Sequence, residues 1–133
     1  MMIEFKQLFP LQVGRVHEAC GSGAVAFAAM ACGQADVRVL WLQVGWQSEQ
    51  LNPMGLVQFM SPKNLVVAHA ENHTDLLACT EDGLRSGAAN LVVAEVTQAL
   101  DLTAGRRLQL AAEQGGSTGI LVIPEGAGSN ATQ

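Results

Sequence analysis

The chain has 133 residues and a formal net charge of −5; 49% of its residues are hydrophobic and 14% are charged. This is the length of one domain, and a chain this apolar buries a core, which excludes general disorder. The acidic balance argues against direct sequence-specific nucleic-acid binding, which usually needs a basic face. Aromatic residues make up only 5% of the chain, so few side chains could stack on single-stranded bases.

The cysteines and the apolar runs bear on the cellular location. Cys20, Cys32 and Cys79 have no CxxC spacing, and nothing in the sequence resembles a secretory signal. We therefore predict reduced thiols in a cytoplasmic protein. The longest apolar run is nine residues, 24–32, whereas a membrane-spanning helix needs about 20. We predict that the protein does not cross a bilayer.

Strand-like and helix-like segments alternate along the chain. Residues 1–13 look like an N-terminal arm, residues 14–124 form the predicted domain, and residues 125–133 are small and polar, as in a flexible tail. In chain order the domain is predicted to contain a strand at 15–19, a glycine turn at 20–23, a helix at 24–34, a strand at 37–43, a helix at 52–60, a strand at 65–70, a helix at 74–87, a strand at 91–96, a helix at 101–114 and a strand at 119–123.

Local signals mark several of these ends. Asn52 and Pro53 suit the N-cap and the first helical position, and Gly87 and the pair Gly115–Gly116 suit helix stops. Three of the strands are continuous apolar runs, which is typical of parallel strands buried on both faces. Strands separated by helix-length segments form βαβ units. The sequence therefore predicts a three-layer α/β domain with a mostly parallel five-stranded sheet.

A phosphate-binding loop would lie where the first strand meets the first helix, at Gly21, Ser22 and Gly23. Such a loop reads GxxxxGK[ST], with a Lys for the phosphates and a hydroxyl for magnesium. The turn here has no Lys and is too short to wrap a triphosphate, so we interpret it as a tight strand-to-helix turn. Glu95 ends the fourth strand, where nucleotide-binding proteins keep an acid. Without a phosphate loop, we interpret Glu95 as a solvated strand-end carboxylate.

No other motif selects a catalytic or metal site. His17, His69 and His73 belong to no paired Cys/His signature, so we predict neither a metal ion nor a cofactor. His69 lies in an apolar strand and is interpreted as a hydrogen-bonded core or strand-end histidine. We also predict no nucleophile elbow, although a Ser/His/Asp arrangement stays open.

Four residues are candidates for contact with a protein partner. Arg106 and Arg107 lie on the last predicted helix, off its apolar stripe, and Arg85 lies on the helix before it. They are either a solvated face or a contact site for an acidic partner. Trp46 follows a strand in a polar stretch, where an exposed indole suggests an interface anchor.

Three stretches resemble a known family. Residues 14–18 (GRVHE) before a glycine turn are similar to the strand that leads into the RecA phosphate loop. Residues 84–88 (LRSGA) followed by 91–95 (LVVAE) look like the helix end and the strand that carries the Walker B acid. The most specific stretch contains DLT and RRLQLAAE within residues 101–113 and looks like an ImuA-type helix. The chain thus resembles the RecA-like superfamily, most closely its ImuA-like and SulA-like branch without a functional nucleotide loop.

The resemblance implies a RecA-type core and a role in the bacterial DNA-damage response. ImuA-like proteins work with polymerase-like partners in translesion synthesis and are thought to contact RecA, whereas SulA-like proteins bind FtsZ and stop cell division. Neither activity requires ATP hydrolysis. The resemblance also leaves room for a homo-oligomer, because RecA-like cores commonly self-associate. The long C-terminal extension of ImuA-like proteins is not found in this sequence.

Three hypotheses follow for the function. The leading one is a non-enzymatic RecA-fold adaptor in SOS or translesion repair, which binds RecA or components of a translesion polymerase through Trp46, Arg85, Arg106 and Arg107. The alternative is a SulA-like inhibitor of cell division that binds FtsZ. The third is an enzyme or nucleotide sensor that uses the turn at 20–23 and Glu95 in an unusual way.

Overall fold

The computed structural model describes residues 14–20, 38–45 and 64–123. The predicted arm, the glycine turn, the helices at 24–34 and 52–60 and the tail lie outside these ranges. No helix in the described part of the chain is long and apolar enough to span a membrane.

The sheet has five parallel strands. They are β1 (Val16–Cys20), β2 (Val39–Val44), β3 (Leu65–Ala70), β4 (Leu91–Glu95) and β5 (Thr118–Ile123). Their order across the sheet is β1-β5-β4-β2-β3, and every pairing is parallel. The predicted α/β class and its parallel five-stranded sheet are confirmed, and each predicted strand lies within two residues of its observed bounds.

Two helices connect the last three strands, and side-chain and glycine caps set their ends. Helix α1 spans His73–Ser86, and helix α2 spans Leu102–Gly115. Asn72 and Asp101 are the N-caps, and each side chain accepts a hydrogen bond from the backbone N–H three residues on. Gly87 and Gly116 end the helices in the left-handed conformation, with φ of 71° and 64°, which a glycine adopts without steric cost.

Both helices pack on one face of the sheet. Leu76 and Leu84 of α1 and Leu108 of α2 are buried there against alternate residues of the strands. The opposite face is buried too, since Trp41 and Val93 have no exposed surface. The strands in the centre of the sheet whose sequences are continuous apolar runs are therefore buried on both faces.

Strand β3 differs from the central strands because it lies at an edge of the described sheet. Val66 is 60% exposed, and of the six residues of β3 only Ala70 is buried. The expectation of burial on both faces, which rests on its apolar composition, is therefore wrong for β3. Its exposure follows from its place at the end of the strand order.

Candidate functional site

A buried side-chain cluster lies towards the carboxyl ends of β2 and β4, the edge of a parallel sheet where α/β proteins bind ligands. Glu95 is the last residue of β4 and is only 8% exposed. Its Oε2 accepts one hydrogen bond from Trp41 Nε1 at 2.5 Å and another from Gln43 Nε2 at 2.8 Å. Both donors lie on β2 and are buried. We call Glu95, Trp41 and Gln43 the Glu95 cluster.

The strand register brings these three residues together. Trp41 pairs with Val93, and the register of the two strands sets Gln43 beside Glu95. Alternate residues of a strand point to the same face, so the indole and the amide both reach one carboxylate. A buried carboxylate is stable only when hydrogen bonds replace its lost water, and here two donors do so.

The interpretation of Glu95 as a solvated carboxylate is therefore wrong. Residues that are 52 and 54 positions away in the sequence supply its donors, and the residues next to Glu95 give no sign of them. The signal that was available lies in β2, where a tryptophan and a glutamine interrupt an apolar strand at alternate positions.

Two histidines lie near the same edge but do not form a ligand set. His69 is exposed near the end of β3, so it is a strand-end and not a core residue. His73 opens α1, four residues later, and its Nδ1 lies 3.1 Å from the hydroxyl of Thr97, in a hydrogen bond. His69 and His73 stand at HxxxH spacing, which brings two imidazoles close together on one face when both lie inside a helix. Here the spacing spans a strand end and a helix start. Among the described residues, no group of three or more His, Cys, Asp and Glu could hold a metal ion.

Burial lowers the pKa of His73. Removal from water disfavours the charged imidazolium more than the neutral ring. His73 is therefore held towards its neutral form, in which one ring nitrogen can accept a hydrogen bond from a hydroxyl.

Ser117 lies in a short sequence motif whose role is clear from the fold. It stands in the run GGSTG at 115–119, which fits the GxSxG pattern of a nucleophile elbow. That elbow needs a strand before the serine and a helix after it, whereas Ser117 follows α2 and precedes β5. Its hydroxyl is buried and donates to the carbonyl oxygen of Leu84 at 2.6 Å. Ser117 therefore joins the end of α2 to α1.

The arginines of the two helices have different surroundings. Arg85 lies 2.5 Å from Glu81 on its own helix and donates from Nε to Gln114 on α2 at 3.0 Å. Arg107 of α2 also reaches Glu81, at 3.2 Å. One carboxylate thus joins two arginines across the helix pair. The hydrogen bond from Arg85 lowers the pKa of Glu81, and the nearby Arg107 lowers it further.

Arg106 takes no part in this network. It is exposed, and it forms no ion pair within the described part of the chain. Leu102 and Leu110 lie one turn before and one turn after it on α2, and each is 56% exposed. We call Leu102, Arg106 and Leu110 the α2 stripe.

The apolar stripe of α2 predicts its buried side and does not include these leucines. The apolar stripe at helical spacing consists of Ala104, Leu108, Ala111 and Ala112; the last three are buried and Ala104 is partly buried. The spacing i, i+4, i+8 of the α2 stripe was visible in the sequence, and it marks the opposite side of the helix.

The other residues predicted to act lie outside the described ranges. Gly21, Ser22, Gly23 and Trp46 are among them. Their roles as a degenerate nucleotide-loop position and an interface anchor stay predictions, as do the contact roles of the three arginines.

Comparison with solved structures assigns the fold. The crystal structure of SulA from Pseudomonas aeruginosa is similar with a TM-score of 0.67 and 21% identity, over 82% of this chain and 97% of the SulA chain. The crystal structure of the RadB recombinase is similar with a TM-score of 0.69 and 12% identity, over 92% of this chain and 70% of the RadB chain. No family model and no curated protein matches the sequence. Both neighbours are RecA-like, and this chain has a RecA-like fold.

Proposed function

We propose that the chain is a non-enzymatic RecA-fold protein that acts by binding another protein. The Glu95 cluster carries this proposal. In a RecA-type nucleotide site, the acid at the end of this strand serves magnesium or the attacking water. Here Oε2 of Glu95 accepts from two buried donors, so the carboxylate is held as part of the core.

The sequence of the turn after β1, where a phosphate loop would lie, supports the same proposal. Residues 20–23 contain no Lys and cannot supply the charge that a phosphate loop needs. A nucleotide would thus meet neither the Lys nor a freely available acid. We therefore infer that the protein acts by binding a partner protein through its surface side chains.

Inhibition of cell division through FtsZ is the specific form that we propose first. The likeness covers 97% of the SulA chain, so the whole SulA fold has a counterpart in this single domain.

An adaptor in SOS or translesion repair is the second candidate. It rests on the resemblance of residues 101–113 to an ImuA-type helix, and that helix presents Arg106 at the surface. Its partners would be RecA or components of a translesion polymerase. Self-association and a cytoplasmic location belong to both candidates as predictions.

Binding measurements with purified proteins separate the candidates. We expect the tagged protein to bind purified FtsZ from the same source and to reduce FtsZ polymerisation, and its overproduction to make undamaged cells filament. Binding to RecA or a translesion polymerase, with normal division, would favour the adaptor instead. Calorimetry with ATP, ADP and Mg²⁺ tests the non-enzymatic proposal, and heat of binding at micromolar nucleotide would contradict it.

A further inference from the structure

The α2 stripe combines one positive charge with two apolar side chains on the exposed side of a helix. Leu102 and Leu110 are both 56% exposed, and they are about 12 Å apart along the axis because a helix rises 1.5 Å per residue. Arg106 lies midway between them. Single exposed leucines are common on protein surfaces, but two that flank an arginine at helical spacing form a continuous surface.

The charge of Arg106 is not used inside the described part of the domain. The other two arginines of the helix pair share Glu81, so that carboxylate is already occupied. The whole chain is acidic, with a net charge of −5. A guanidinium with no ion pair among the described residues of such a chain suits a carboxylate from a partner, because arginine forms paired hydrogen bonds with carboxylates.

We propose that the α2 stripe binds an amphipathic helical segment of the partner, with an acidic residue between two apolar residues. The carboxylate pairs with Arg106, and the apolar residues, one turn to either side of it, cover Leu102 and Leu110. The leucines keep water away from the ion pair and so strengthen it. This inference rests on the proposed function, because it names the surface through which the protein partner would be held.

The test uses both the partner and a defined probe. The probe is a stapled helical peptide with Leu, Glu and Leu at i, i+4 and i+8, because unstapled short helices are marginal in water. Its matched control carries Gln in place of Glu. Fluorescence anisotropy measures binding of each peptide, and of purified FtsZ and RecA, to the full chain.

Three variants locate the contact. Arg106→Glu should weaken binding of the partner and of the Glu peptide at least tenfold, and Leu110→Gln should weaken it severalfold. Arg38→Glu makes the same change in net charge at an exposed residue just before β2, and it should leave binding within twofold. A peptide with Lys in place of Glu should recover binding to the Arg106→Glu variant. Circular dichroism checks that each variant is folded.

The possible results separate this surface from the function. If FtsZ or RecA binds and Arg106→Glu binds it equally well, the surface assignment is overturned and the function stands. If neither protein binds, the proposed function fails, and binding of the Glu peptide that depends on Arg106 still supports the surface. Equal binding of the Glu and Gln peptides overturns the proposal. Sedimentation measures self-association of the chain. If the wild type self-associates and Arg106→Glu does not, the surface binds a second copy of the chain and the proposed occupant is wrong.

Discussion

Replacing Glu95 by alanine tests whether the Glu95 cluster is structural. The carboxylate is the acceptor for Trp41 Nε1 and Gln43 Nε2, and both donors are at most 1% exposed. Alanine leaves two buried N–H groups without their acceptor. A buried donor that loses its partner costs about 1–3 kcal/mol. Removal of a buried charge offsets part of this cost, so we expect Glu95→Ala to lower the free energy of unfolding by about 2–4 kcal/mol.

Thermal and urea unfolding, followed by circular dichroism, measure this loss. In a domain of this size 1 kcal/mol corresponds to about 4 °C in the melting temperature, so Glu95→Ala should melt roughly 8–16 °C below the wild type. Glu95→Gln keeps an oxygen acceptor but loses the charge, and neutral hydrogen bonds are about half as strong. We expect this control to lose about 1 kcal/mol.

A combined variant separates hydrogen bonding from packing. Trp41→Phe, Gln43→Leu and Glu95→Leu together remove both donors and the acceptor, and such replacement can be nearly neutral. The triple variant should therefore be more stable than Glu95→Ala. If instead Glu95→Ala melts at or above the wild-type temperature, the carboxylate does not stabilise the core, and the case for an acid kept free for a ligand becomes stronger.

Three further predictions concern the helix pair and pH. Gly115→Ala should destabilise the domain by about 3 kcal/mol, because the new Cβ would lie 1.9 Å from the carbonyl oxygen of Leu84; a melting temperature equal to the wild type would contradict this. The hydrogen bond from Arg85 lowers the pKa of Glu81. The ionised Glu81 therefore contributes to the free energy of unfolding above the ordinary glutamate pKa, and this contribution is lost as the pH falls through the lowered value. Glu81→Gln should cost about 0.5–1 kcal/mol at neutral pH and should flatten the fall in stability that occurs below the ordinary glutamate pKa of 4.5. Burial lowers the pKa of His73, so its stabilising neutral form is complete above about pH 6.5 and is lost below it. His73→Gln should remove that part of the decline in urea-unfolding titrations, and an unchanged profile would refute the assignment.

The α/β class and the strands and helices that the structure describes could be predicted from the sequence alone. Apolar runs of strand length predict where β3, β4 and β5 lie. Burial on both faces, which such runs also predict, holds for β4 and β5 but not for the edge strand β3. The pair Gly115–Gly116 predicts the end of α2, because a glycine adopts the left-handed conformation that ends many helices. The start of α2 is predicted at Asp101, which in the structure is the N-cap one residue before the helix. These signals depend on near neighbours in the chain, and the structure confirms them.

Only the tertiary structure decided what the polar side chains do. Glu95 is buried because β2, rather than β3, lies beside β4 and brings Trp41 and Gln43 to it. The sequence pattern also does not distinguish Arg106 from Arg107, because both lie off the apolar stripe of α2. The packing of α1 against α2 places Glu81 within reach of Arg107 and leaves Arg106 at the surface. A side chain's partner depends on which elements pack together, and contacts far apart in the sequence leave no local pattern from which to predict it.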